Sequence, residues 1–97
     1  DYPAIMKKKC LNLYPSNAKN LDTTGYKKGD KGNGVLALKY LLMLAKKKSM
    51  HNINLDKNDI FGAGTQKAVN NILKNHGYSQ NGTAGKKFID LLGNELL

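Results

Sequence analysis

The sequence predicts an all-α protein: a compact three-helix bundle with helices at about 33–47, 63–75 and 86–92, and an added N-terminal segment. Two observations carry that prediction. Apolar residues recur every three or four positions rather than alternating, which is the period of a helix face. And one short pattern appears three times: Gly32-x-x-Val35-x-x-Leu38, Gly62-x-x-Thr65-x-x-Ala68 and Gly85-x-x-Phe88-x-x-Leu91. In each, a glycine precedes residues three apart on one helical face, so the pattern reads as a helix start used three times.

Taken in order, residues 1–28 read as an extension or linker packing on a domain formed by residues 29–97. Pro3 suits the first turn of a short helix in which Met6, Cys10, Leu13 and Tyr14 share a face, closed before Pro15. The Asn-, Ser-, Thr- and Gly-rich stretch from Pro15 to Gly29 reads as loop. From Val35 to Ala45 every residue but Lys39 is apolar, so the first helix of the bundle belongs at its centre with more than one face covered. The later helices supply one cover; the N-terminal segment or a second copy of the chain, as a homodimer, supplies another. The next helix carries Thr65, Ala68, Val69, Ile72 and Leu73 on its apolar side, and Gly77 stops it. The last buries Phe88, Ile89, Leu91 and Leu92, and Gly93 is expected to break it.

Charge and composition narrow the function. Sixteen basic residues against seven acidic give +9, which favours an anionic partner. All sixteen are lysine. Without arginine's planar fork the chain is a poor reader of DNA sequence, and the lysines are scattered rather than striped along one helix. No apolar run approaches the ~20 residues of a membrane span. Cys10 is the only cysteine, and His51 and His76 lie at no metal-ligand spacing from it, so no metal or other cofactor is expected. The seven carboxylates form no acid–base pair, so no catalytic residue is assigned and the chain is expected to be no enzyme. Lacking a leader pattern, it reads as a mature fragment or the tail of a longer protein.

The same glycines carry a resemblance. Gly29-Asp30-Lys31-Gly32 leads to Val35 and Leu38, and Phe61-Gly62-Ala63-Gly64-Thr65 leads to Ala68-Val69. Gly77-Tyr78, Asn81-Gly82 and Gly85 follow. Residues 29–92 thereby resemble the peptidoglycan-binding domain found at the ends of bacterial and phage cell-wall hydrolases, with Phe-Gly-x-x-Thr-x-x-Ala-Val the specific part. The sequence departs from that pattern at Asn58-Asp59, where the family has Asp-Gly, at Lys39, where a Gln is usual, and at Phe88, where a Thr is usual.

The resemblance implies a non-catalytic module that binds peptidoglycan, and teichoic acid as a second anionic partner. It would target an attached catalytic domain, of an endolysin or autolysin, to the Gram-positive wall outside the cell. Its ligand contacts are expected among Asn58, Asp59, Phe61, Gly62, Gly64, Thr65, Tyr40 and Tyr78. The chemistry is that of a carboxylate at a helix start: free N–H groups, a positive dipole end, and glycines that leave the backbone open. Each residue also has a structural reading: Phe61 as a core plug, Gly62 as a cap, and Thr65 packed with its hydroxyl bonded to the preceding turn. Tyr78, after Gly77, would anchor its loop in the core, and Tyr40 would line an interhelical groove with its hydroxyl outward. Asn70 and Asn71 are further amide donors. The competing functions are a basic helical nucleic-acid-binding domain and a structural or oligomerisation module.

Overall fold

The computed structural model describes Ala4, Leu21 and residues 25–96. The short helix expected after Pro3, and with it Cys10, lies outside the described residues. Three helices follow: α1 (Asn33–Lys47), α2 (Ala63–Asn75) and α3 (Lys86–Leu96). Among the described residues there is no strand, only two isolated antiparallel bridges, Tyr26 to Ala84 and Lys31 to Ile60.

The repeated glycine pattern works as a helix start in all three places. The carbonyl of Gly32 accepts the N–H of Leu36, that of Gly62 accepts Gln66, and that of Gly85 accepts Ile89, at 2.9–3.1 Å. The lead-ins to the helices are stitched together. Gly29 N–H donates to Phe61 O and Phe61 N–H to Asp30 O, while Gly32 N–H reaches Asp59 O at 2.9 Å. Tyr26 and Ala84 exchange N–H···O bonds at 3.0 and 2.8 Å just before α3 begins. The starts of α1 and α2 are thus tied to each other, and α3's start is tied to the segment that leads into α1.

α1 is the centre, as its composition predicts. Val35, Ala37, Leu38, Leu41, Leu42, Leu44 and Ala45 are all buried, too many for a single stripe. α2 contributes Ala68, Val69, Ile72 and Leu73, and α3 contributes Phe88, Ile89, Leu92 and Leu96. Part of the additional cover comes from the connection between α1 and α2, where Phe61 is fully buried and Met50, Ile53 and Leu55 pack on the core. Leu21 and Tyr26, from before α1, do the same.

α3 is longer than its sequence suggests. It passes through Gly93, which is buried, and continues to Leu96, at 1% exposure. A mid-helix glycine costs about 1 kcal/mol relative to alanine. Burying the Leu96 side chain, worth roughly 1.5–3 kcal/mol, outweighs that and draws the helix onward. The far ends of α2 and α3 approach each other: His76 Nδ1–H donates to Ile72 O at 2.8 Å, and its Nε2 lies 3.5 Å from a Glu95 carboxylate oxygen.

α1 and α2 end alike. Tyr78 N–H reaches back to Leu73 O with Gly77 at φ +78°, as Met50 N–H reaches back to Ala45 O with Ser49 at φ +62°. This closure needs a left-handed residue between helix and loop. Gly77 adopts it freely, whereas Ser49 does so against its own Cβ.

Candidate functional site

The segment before α2 builds a small pocket. It is lined by Lys39 from α1, by Asn54, Leu55, Asp56, Asn58 and Ile60 from the connection, and by Gly62 to Thr65 at the start of α2, and encloses about 160 Å³. Four of the residues expected to contact ligand meet here: Asn58, Gly62, Gly64 and Thr65.

Lys39 is the unusual member. Its side chain is 3% exposed, yet it carries an ammonium. Burial pushes its pKa below the usual 10.5, against the opposing pull of the Asp56 and Asp59 carboxylates. Nζ donates to Asn58 Oδ1 at 2.7 Å and to the Ile60 carbonyl at 2.9 Å, which uses two of its three N–H bonds. Asn58 Oδ1 also accepts the N–H of Ile60 at 3.1 Å. One amide oxygen therefore holds both the turn before α2 and the lysine that reaches over from α1.

Thr65 faces the same pocket and is 2% exposed. Its hydroxyl was expected to bond the preceding turn, but among the described residues it has no hydrogen-bond partner. The amides of Ala63, Gly64 and Thr65 come before the first intrahelical bond, and no side chain among the described residues caps them. They are the positive end of α2's dipole.

The other expected residues fall elsewhere. Phe61 is completely buried in the core, so it acts as the plug and not as a ligand contact. Asp59 is exposed and uses its carbonyl to hold Gly32. Tyr40 is half-buried, packs on the core, and lines neither this pocket nor the cleft described next. Tyr78 is a correction: instead of anchoring its loop in the core it is 52% exposed. The 6→1 bond from its own N–H holds the loop, so the ring is not needed for anchoring. The ring lines a larger cleft of about 430 Å³ with Leu73, Asn81, Thr83, Gly85 and Lys86. Asn70 is structural, its Oδ1 accepting the N–H of Gly82 at 2.7 Å.

Lys39 is the residue the sequence reading missed. The available signal was a single lysine inside an otherwise apolar eleven-residue run, which places a charge where the helix is buried. Among the described residues no group of three or more His, Cys, Asp or Glu side chains is placed to hold a metal ion. No described helix is long and apolar enough to cross a membrane. Compared with known proteins, the chain matches no family model, and neither a curated protein nor a solved structure is significantly similar to it.

Proposed function

We propose that this chain is a non-catalytic module that binds the peptidoglycan of the Gram-positive cell wall and directs an attached hydrolase to it. The observation that carries this reading is the pocket at the start of α2. It gathers Gly62 to Thr65, the part of the Phe-Gly-x-x-Thr stretch that follows the buried Phe61 and carries the resemblance to cell-wall-binding domains, around uncapped backbone N–H groups and a buried ammonium. Peptidoglycan presents short peptides with free carboxylates, which such a start attracts. It also presents amino sugars, and the exposed Tyr78 ring beside an open cleft offers an apolar face for a sugar.

One module of this size is expected to bind weakly, near millimolar or about −4 kcal/mol, and to depend on the polymer's repetition for avidity. The test is retention of the purified chain on purified Gram-positive walls, at low salt and at ~0.5 M salt, where the Debye length falls to a few ångströms. Walls with teichoic acid intact and walls stripped of it separate two sources of attraction. Retention on stripped walls at high salt is the expected result. Loss under either condition would reduce the interaction to lysine electrostatics, and no retention at all would end the reading.

A further inference from the structure

We infer that the pocket between Lys39 and the start of α2 is a binding site for a single carboxylate, the free end of a short peptide with a small terminal side chain. The donors belong to residues that line it. Among the described residues, the third N–H of the Lys39 ammonium is uncommitted, the Thr65 hydroxyl is buried without a partner, and three backbone amides at the head of α2 are uncapped. A buried hydroxyl left unbonded is costly, and so is a buried ammonium with an open donor. One carboxylate, with about four lone-pair sites on two oxygens, is able to accept from as many as four of these five donors.

The pocket's other walls choose among anions. Asp56 lines it, and the charge of Asp59 also reaches Lys39. These two carboxylates offset the Lys39 charge and oppose a phosphate dianion more than a monoanion, so the attraction rests on the hydrogen-bond donors. At about 160 Å³ the space is below the ~300–1,000 Å³ of pockets that enclose drug-sized ligands, so it takes a terminal group and not a sugar ring. Leu55 and Ala63 supply an apolar edge for a methyl-sized side chain. That this carboxylate belongs to a wall peptide rests on the function proposed above; that the pocket takes a carboxylate does not.

The experiment titrates the whole chain with N-acetylalanine, with N-acetylalaninamide and with inorganic phosphate at constant ionic strength, following the amide resonances of Ala63, Gly64 and Thr65. N-acetylalanine is expected to give saturable shifts at all three, and its amide none. Thr65→Val keeps the shape and removes the hydroxyl. It is expected to weaken N-acetylalanine by at least about tenfold, the lower end of the worth of a hydrogen bond to a charged group, while the melting temperature holds or rises. No saturable shift would overturn the inference, as would an unchanged affinity in Thr65→Val or phosphate binding as tightly as N-acetylalanine. If walls retain the protein but N-acetylalanine does not bind, the carboxylate site falls and the wall function stands. If N-acetylalanine binds and walls retain nothing, the site stands and the wall function falls.

Discussion

The starts of α2 and α3 are built on the same local pattern, yet they present opposite surfaces. In both, a glycine carbonyl accepts the first intrahelical N–H, and residues three and six later turn toward the core. Over the head of α2 lies a lysine from another helix, nearly fully buried, beside a threonine hydroxyl with no hydrogen-bond partner among the described residues. At the head of α3 lies an exposed tyrosine, while Lys86 turns away to Asp90 one helical turn on, at 3.0 Å. The glycine pattern thus specifies a helix start and free amides, and nothing about chemistry. Chemistry comes from what the fold lays across that start, and only α2 receives a buried charge.

The largest expected effect lies beneath α2. Phe61→Ala should destabilise the protein by about 3–5 kcal/mol, the usual cost of removing a buried phenyl ring, measured by urea unfolding. An effect below about 1 kcal/mol would mean that the α2 start does not depend on its core plug.

A second test separates the two starts by pH. His51 is 7% exposed, its Nε2–H donates to Leu42 O at 2.7 Å, and its Nδ1 accepts the N–H of Ile53 at 3.0 Å. Burial lowers its pKa below the ordinary 6.5, opposed by the Leu42 bond and aided by the Lys46 charge. The neutral ring is therefore the folded form. Its stabilising contribution is complete above 6.5 and is lost as pH falls through 6.5 toward the lower folded value. Protonation removes the acceptor for Ile53 in the same connection that carries Asn54 to Asn58 along the α2 pocket. Lowering pH from about 7.5 to about 5 should reduce the unfolding midpoint and perturb Gly64 and Thr65 resonances before those of Lys86 and Lys87. Following the His51 and His76 rings separately assigns the effect. A midpoint unchanged while His51 titrates would contradict it.

Smaller effects sharpen the contrast. Ser49→Gly removes a Cβ from a left-handed residue and should stabilise by roughly 1 kcal/mol in thermal unfolding; a loss of stability would show that the serine is held there by something besides the closure. Tyr78→Ala should change stability by less than about 0.5 kcal/mol yet reduce retention on walls. A large stability loss would return that ring to the core role its position suggested.

Much of the fold was legible in the sequence because it is written in short-range periodicity. The 3.6-residue spacing and the glycine boundaries located α1 and α2 at their observed ends. The end of α3 was not legible, since Gly93 weakens a helix locally while Leu96 is drawn in by contacts that no short window contains. The site was legible in part. Asn58, Gly62, Gly64 and Thr65 lie close together in sequence, and the turn that joins them makes a common pocket natural. Lys39 comes from nineteen residues before Asn58, and its placement is set by how α1 packs beneath the connection. Tyr78 misled because a hydrophobic residue after a helix-stopping glycine resembles an anchor, whereas the anchor here is its backbone N–H.

The most direct test of the account compares variants on teichoic-acid-stripped walls at ~0.5 M salt, where diffuse charge is screened. Lys39→Met removes the buried ammonium and keeps much of the stem, while Lys47→Gln with Lys48→Gln removes two exposed charges. The exposed-charge variant is expected to be retained like the parent, and Lys39→Met, checked for folding by its amide spectrum, to be lost. Retention of a folded Lys39→Met protein, with loss of the exposed-charge variant, would contradict it.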